Sequence, residues 1–170
     1  MQVKPARQPG ARLACRKAIV TTMYKHILVA TDGSRLSAKA IRTAAQLART
    51  CGAKLTGAYV TAPYSAPVYG EAVAYAPPVS AQRYKALVAK EAKKALAAVE
   101  IEAQTAGVPF DTASTTNAQP WRGIIRVAQA RKCDVIVMAS HGRRGLASLL
   151  LGSETHKVLT HSKIPVLVCR

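Results

Sequence analysis

Residues 134–153 read DVIVMASHGRRGLASLLLGS, and this stretch decides the fold. Its first part, up to Ser140, is an apolar run typical of a strand buried on both faces of a parallel sheet. A glycine-containing loop follows, and Ser153 is predicted to begin a helix. Helix N-termini carry unpaired N–H groups and a partial positive charge, and glycines let the backbone approach an anion closely. The stretch therefore predicts a phosphate-type site at Gly152 and Ser153, where Ser153 either caps its helix or donates its hydroxyl to a phosphate.

The same alternation of strand and helix patterns extends through the rest of the chain. Apolar strand patterns occur at residues 26–31, 55–60, 110–115, 134–140 and 165–169. Helical patterns occur at residues 36–51, 80–106 and 120–131 and from residue 153 onward. No hairpin signal interrupts them, so the sequence predicts an α/β fold with a doubly wound, five-stranded parallel sheet and helices on both faces.

The length of 170 residues is enough for one domain with a sizeable core. Residues 1–22 are basic and contain no acid, so we interpret them as a disordered extension, with an organelle transit peptide as the alternative. Residues 23–170 are predicted to form the folded domain. Within it, the proline- and tyrosine-rich residues 61–79 predict a long loop, which is either a lid or binding loop or a floppy insertion.

The composition excludes several functional classes. The net charge is +17, but the basic residues are spread along helix faces without interleaved aromatic side chains, which favours a solvated surface over specific nucleic-acid binding. No apolar run is long enough to span a membrane, and no secretory signal is evident. The scattered histidines make a protein metal site improbable. We expect a cytoplasmic protein whose four cysteines are reduced, namely Cys15, Cys51, Cys133 and Cys169.

Two segments together resemble the universal stress protein family: YKHILVATDGS at residues 24–34 and the glycine loop after residue 138. The ATP-binding branch of that family is marked by glycine, two residues, glycine, nine residues, then glycine with Ser or Thr. Gly142, Gly152 and Ser153 match this pattern, whereas Ala139 stands at its first glycine. An alanine there would be strained if the backbone needs a positive φ, but one methyl would be tolerated beside the ribose if only close approach matters.

The resemblance implies the strand order 3-2-1-4-5, which makes the first and fourth strands neighbours where the order reverses. Ligands of doubly wound folds bind beyond the carboxyl ends of such strands. By resemblance, Asp32 would hydrogen-bond the adenosine part and Val60 would meet adenine through its backbone. The predicted nucleotide-binding residues are Ala30, Thr31, Asp32, Val60, Met138, Ala139, Gly142, Arg143, Gly152, Ser153 and Glu154, and the predicted cofactor is ATP, alone or with Mg²⁺.

Three of these residues have an alternative interpretation. Asp32 is a candidate helix cap, and Arg143 with Arg144 is equally a solvent-facing pair. Glu154 is favourable at a helix start, but it would repel a triphosphate unless it points away or Mg²⁺ lies between them.

No arrangement of side chains suggests catalysis, and we interpret His141 as a turn residue rather than a general base. We therefore expect no enzyme, or at most slow ATP hydrolysis. The predicted function is an ATP- or adenosine-nucleotide-binding stress-response module that acts by binding and partner regulation. The alternatives are a nucleotide-free dimeric interaction protein of the same fold and a slow ATPase or phosphotransferase. The resemblance also implies a homodimer through the last strand, Val166–Cys169, without nucleic-acid or membrane partners.

Overall fold

The computed structural model describes residues 23–65, 80–142 and 151–170. In chain order the elements are β1 (His26–Ala30), α1 (Arg35–Cys51), β2 (Lys54–Thr61), α2 (Ala81–Ala106), β3 (Phe110–Thr116), α3 (Pro120–Ala130), β4 (Val135–Ala139), α4 (Ser153–His161) and β5 (Val166–Cys169). All strand pairs are parallel, and the sheet order is β3-β2-β1-β4-β5. The predicted fold class and strand order are therefore confirmed.

The predictions for residues 1–22 and for most of the 61–79 loop lie outside the described residues. No helix in the described ranges is long and apolar enough to cross a membrane.

The core lies on both faces of the central strands, β1 and β4. Alternate residues of β1 pack in opposite directions: Val29 belongs to the cluster under α1 and α2, and Leu28 belongs to the cluster under α3 and α4. The same alternation holds in β4, where Val137 and Ile136 join these two clusters and are fully buried. Two helices therefore cover each face of the sheet, which explains why both central strands read as continuous apolar runs.

Polar caps and glycines define the ends of α1 and α2. The Ser34 hydroxyl accepts a hydrogen bond from the N–H of Ser37, and Ser80 caps α2 in the same way. Gly52 and Gly107 end these helices in the left-handed region, with φ of 63° and 67°. Glycine suits both positions, since residues other than glycine rarely adopt this conformation.

The packing of α3 against β2 depends on a glycine. A Cβ added to Gly123 would lie 2.6 Å from Cγ1 of Val60, which is closer than real Cβ atoms approach other atoms. Pro120 is in the first turn of α3, where its missing N–H costs no helical hydrogen bond. The helix can therefore lie directly on the carboxyl end of β2, where Val60 is one wall of the crevice described below.

An aromatic contact joins α3 to α4. The rings of Trp121 and His161 have centroids 4.4 Å apart, and the Arg122 guanidinium lies 5.0 Å from the Trp121 ring centroid. Trp121 also packs against the core cluster under these two helices. The helices α3 and α4 thus contact each other as well as the sheet.

A polar group of residues lies at the opposite end of the sheet from the crevice. The Asp134 carboxylate accepts hydrogen bonds from the backbone N–H groups of Lys25 and His26, tying the start of β1 to the start of β4. The His26 ring is 2.7 Å from the Thr56 hydroxyl. Burial, together with the positive charge of Lys54, lowers the pKa of His26 below its ordinary value. This end of the sheet therefore favours a neutral His26.

Candidate functional site

A crevice of about 580 Å³ opens at the carboxyl ends of β1, β2 and β4. This volume lies within the range of about 300–1,000 Å³ typical of small-molecule sites. The crevice also lies where the strand order reverses, as the rule for doubly wound sheets requires. Its floor is formed by the strand ends, and its walls include the first turns of α3 and α4.

Ten of the eleven predicted site residues line this one crevice: Ala30, Thr31, Asp32, Val60, Met138, Ala139, Gly142, Gly152, Ser153 and Glu154. The eleventh, Arg143, lies outside the described residues, as does its neighbour Arg144. The structure therefore brings together residues that are separated by more than a hundred positions in sequence, and their role in binding remains a prediction.

The turn after β1 holds Asp32 at the mouth of the crevice. Its Oδ1 accepts a hydrogen bond from the Ser34 N–H at 3.0 Å, and the Thr31 hydroxyl accepts one from the Gly33 N–H at 3.1 Å. Gly33 has a φ of 77°, which only glycine adopts readily. The cap of α1 is Ser34, so the alternative interpretation of Asp32 as the helix cap was wrong. Asp32 instead fixes the turn with one oxygen of its carboxylate.

Gly142 brings the second half of the crevice directly against Asp32. A Cβ added to Gly142 would lie 2.7 Å from Oδ2 of Asp32, so any side chain here would displace the carboxylate. The glycine is required for this close approach and not for an unusual backbone angle, since its φ is not among the positive values found in the described residues. The close contact with Asp32 therefore explains why this position of the motif is a glycine.

The two ends of the glycine loop are joined by hydrogen bonds to backbone carbonyls at the end of β4. The Gly152 N–H donates to the Ser140 carbonyl at 2.8 Å, and the Thr155 hydroxyl donates to the Ala139 carbonyl at 2.9 Å. A Cβ added to Gly152 would lie 3.1 Å from the Ser140 carbonyl oxygen, so this contact also favours glycine. The start of α4 is thus held against the end of β4 by contacts within the described residues.

The first turn of α4 presents its N–H groups to the crevice. Gly152 is the N-cap residue, and a glycine has no side chain with which to cap the helix. Ser153 is the first residue of the helix itself, so the interpretation of Ser153 as a cap was wrong. The physical reason is that the Gly152 carbonyl already accepts a hydrogen bond from the His156 N–H at 2.9 Å, which begins the helix one residue earlier. An anion could satisfy the unpaired donors of this turn.

Ala139 shows neither of the strains that an alanine could have introduced. It is the last residue of β4, and among the described residues the one non-glycine with a positive φ is Lys132. By strand alternation its methyl group shares the face of Val137, and both belong to the cluster under α1 and α2. Alanine in place of the first motif glycine therefore adds a methyl to the core and leaves the backbone in ordinary strand geometry.

Each carboxylate oxygen of Glu154 contacts one partner. Its Oε2 accepts a hydrogen bond from the backbone N–H of Trp121 at 2.9 Å, and its Oε1 lies 3.2 Å from Nζ of Lys157. The carboxylate therefore satisfies an N–H donor in the first turn of α3 although it belongs to α4. The carboxylate is thus fixed beside the first turn of α3, while Glu154 remains one of the residues that line the crevice.

Several lining residues were not among the predicted site residues. Ala58, Pro120 and Ile124 form an apolar wall with Met138 and Val60, and Ser37, His141 and Thr155 also line the crevice. The Nδ1 atom of His141 is 3.2 Å from the Ser140 hydroxyl, and its buried Nε2 has no hydrogen-bond partner in the part of the chain that the structure describes. The apolar alternation of β2 could have indicated Ala58, but the α3 residues required knowledge of how α3 packs.

The described ranges contain no group of three or more His, Cys, Asp or Glu side chains that could hold a metal ion. Burial raises the pKa of the Cys133 thiol to about 11, so this cysteine is a protonated core residue at neutral pH. The described lining of the crevice combines the first turn of α4, the acidic residues Asp32 and Glu154, and an apolar wall.

Comparison with known proteins places this geometry in context. The family model described as the universal stress protein family matches residues 23–170. Universal stress protein YxiE of Bacillus subtilis is 33% identical over 151 residues, which cover 87% of this chain and 100% of that protein.

Solved structures show the same fold. Universal stress protein UspA from Lactobacillus plantarum is similar with a TM-score of 0.69 and 26% identity, over 86% of this chain and 98% of that chain. A universal stress protein in complex with cAMP is similar with a TM-score of 0.63 and 28% identity, over 86% of this chain and 97% of that chain.

Proposed function

The chain belongs to the universal stress protein family, and from that premise we propose that it is a cytoplasmic stress-response module that binds an adenosine nucleotide, ATP in particular. The bound state alters its contacts with partner proteins. The observation that carries the proposal is the uncapped first turn of α4, which faces a crevice of about 580 Å³ together with the Asp32 carboxylate.

The residues of the crevice fit the three parts of such a ligand. The apolar wall formed by Ala58, Val60 and Ile124 suits a purine base. The second oxygen of Asp32 faces Gly142 and is suited to accept a hydrogen bond from a ribose hydroxyl. The N–H groups at the start of α4 suit a phosphate. The similar universal stress protein in complex with cAMP supports the adenosine class.

The proposed role is binding without turnover, or with ATP hydrolysis that is slow at most. The crevice has Asp32 and Glu154 as its carboxylates, and each already accepts a hydrogen bond from a backbone N–H. Within the described ranges, these two hydrogen bonds engage backbone groups and not a nucleophilic side chain such as general-base catalysis uses. Mg²⁺ would enter with the phosphates of ATP, whose oxygens supply most of its ligands in such sites.

The proposed assembly is a homodimer through β5, an edge strand of the sheet. The carbonyls of Pro165 and Cys169 accept hydrogen bonds from β4. By strand alternation, the peptide groups of Val166 and Val168 face outward and can pair with a second copy. Sedimentation velocity should show a dimer for the wild type and a monomer for Val168→Pro, which lacks the outward N–H. An unchanged dimer in a folded Val168→Pro variant would contradict this assembly.

Isothermal titration calorimetry with ATP, AMP and adenosine tests the nucleotide proposal. The wild type should bind at least one of these ligands with a stoichiometry of one per chain. Gly152→Val should abolish binding, because its Cβ would press on the Ser140 carbonyl and shift the start of α4. Ala89→Val, at an exposed position of α2, is the matched control and should bind like the wild type. A wild type that binds none of the three would refute the proposal in favour of a nucleotide-free interaction protein.

A further inference from the structure

The side chain of Glu154 is held in place at the wall of the crevice. One carboxylate oxygen accepts the Trp121 N–H at 2.9 Å, and the other lies 3.2 Å from Nζ of Lys157. The two partners come from different helices, α3 and α4. Moving the carboxylate away would therefore break its hydrogen bond with the Trp121 N–H and its ion pair with Lys157.

The same residue contributes two opposite effects to the site. The backbone N–H of Glu154 is one of the donors in the uncapped first turn of α4, which attracts an anion. Its carboxylate repels an anion, and this repulsion grows with the charge of the ligand. The backbone contribution is nearly the same for any bound phosphate, whereas the side-chain contribution depends on how many phosphates follow.

Lys157 offsets only part of the negative charge of Glu154. Its side chain is 45% exposed, and that of Glu154 is 36% exposed, so the ion pair is strongly solvated. Lys157 follows Glu154 by three residues on α4, and it is not among the residues that line the crevice. Glu154 thus lines the crevice and Lys157 does not, so the negative charge is the less compensated one on the side of the ligand.

We infer that Glu154 makes the crevice select among adenosine ligands by charge, favouring a single phosphate, open or cyclic, over the triphosphate of metal-free ATP. The inference rests on the proposed nucleotide binding and names the ligand class that the site prefers. Mg²⁺ reduces the preference, because it neutralises part of the triphosphate charge.

The test is calorimetric titration of the wild type and Glu154→Gln with adenosine, AMP and ATP, first without and then with Mg²⁺. The amide oxygen of Gln can still accept the Trp121 N–H, so the substitution removes charge and keeps the contact with α3. Glu154→Gln should tighten metal-free ATP about tenfold and AMP about threefold, with no change for adenosine. Glu100→Gln on α2, which packs on the other face of the sheet, makes the same change in net charge and should alter none of these affinities.

A second variant tests the inference in the opposite direction. Lys157→Gln leaves the carboxylate in place without its cation, so it should weaken ATP more than AMP. Equal effects of Glu154→Gln on adenosine and ATP would overturn the inference, because the carboxylate would then act on the nucleoside. If the wild type binds these ligands and neither variant changes the ATP-to-AMP ratio, the inference fails while the proposed function stands. If the wild type binds none of them, the proposed function fails as well.

Discussion

Gly142→Ala perturbs the closest approach between the two halves of the crevice. The new Cβ would lie 2.7 Å from Oδ2 of Asp32, closer than real Cβ atoms approach other atoms. Asp32 is not free to turn away, because its Oδ1 accepts the Ser34 N–H at 3.0 Å. The backbone of Gly142 itself should tolerate alanine, since its φ is not in the left-handed region. The substitution therefore displaces the carboxylate and leaves the fold largely unchanged.

The size of the effect follows from the hydrogen bond that Asp32 is proposed to make with the ligand. A hydrogen bond to a charged group contributes about 1.5–3 kcal/mol, which corresponds to about a tenfold to hundredfold change in affinity. We expect Gly142→Ala to weaken AMP binding within this range. The midpoint of thermal unfolding should change by only a few degrees, because the contact involves a partly exposed side chain at the end of the sheet.

The assay is a double-mutant cycle by calorimetry with AMP at fixed salt concentration. If the methyl acts by displacing Asp32, Gly142→Ala should have less than about a twofold effect in an Asp32→Ala background, because the two changes remove the same interaction. An equal loss of affinity in both backgrounds would show that the methyl obstructs the ligand itself. Unchanged affinity of the single variant Gly142→Ala would refute the reasoning altogether.

Three further substitutions test the fold around the crevice. Gly123→Ala should destabilise the protein by about 1–3 kcal/mol in urea unfolding, because its Cβ would overlap Val60, and Val60→Ala should restore part of the loss. The free energy of unfolding of the wild type should decrease as the pH is lowered from about 7 to about 5, and His26→Gln should make this decrease smaller. Burial lowers the pKa of His26 in the folded state, so the unfolded chain binds more protons there and the wild type loses stability as the pH falls; equal pH profiles would contradict this. Ser34→Ala should cost about 1 kcal/mol in the same urea assay, since it removes the acceptor of the Ser37 N–H at the start of α1; no change would show that water replaces the cap.

The fold and the position of the crevice could be predicted because they depend on local patterns and on general rules for parallel sheets. The apolar runs of β1 and β4 indicated central strands, and the glycines at positions 52 and 107 indicated where α1 and α2 end. The strand order itself came from the resemblance to the universal stress protein family, and it brought Asp32 and Gly142 to one crevice because the carboxyl ends of neighbouring parallel strands meet at one edge.

The roles of Glu154 and Ser153 could not be predicted, because they depend on contacts between distant elements. The position of Glu154 near a helix start suggested an effect on its own helix, whereas its carboxylate contacts the start of α3, 33 residues earlier in sequence. Ser153 has the residue type of a helix cap, but Gly152, held against Ser140 by a hydrogen bond, accepts the first helical N–H from His156 and is the cap instead. At such positions the residue type favours a local role, such as capping its own helix, but contacts between distant elements determine the role that the residue has.

The contact between Trp121 and His161 makes this protein suited to label-free spectroscopy. The chain contains a single tryptophan, so its intrinsic fluorescence arises from one site. That site is one residue after Pro120 on the crevice wall, and its backbone N–H is held by the carboxylate of Glu154. Any ligand or substitution that moves α3 relative to α4 should change the polarity around the indole, and a shift of the emission maximum would register the movement in dilute solution without a dye.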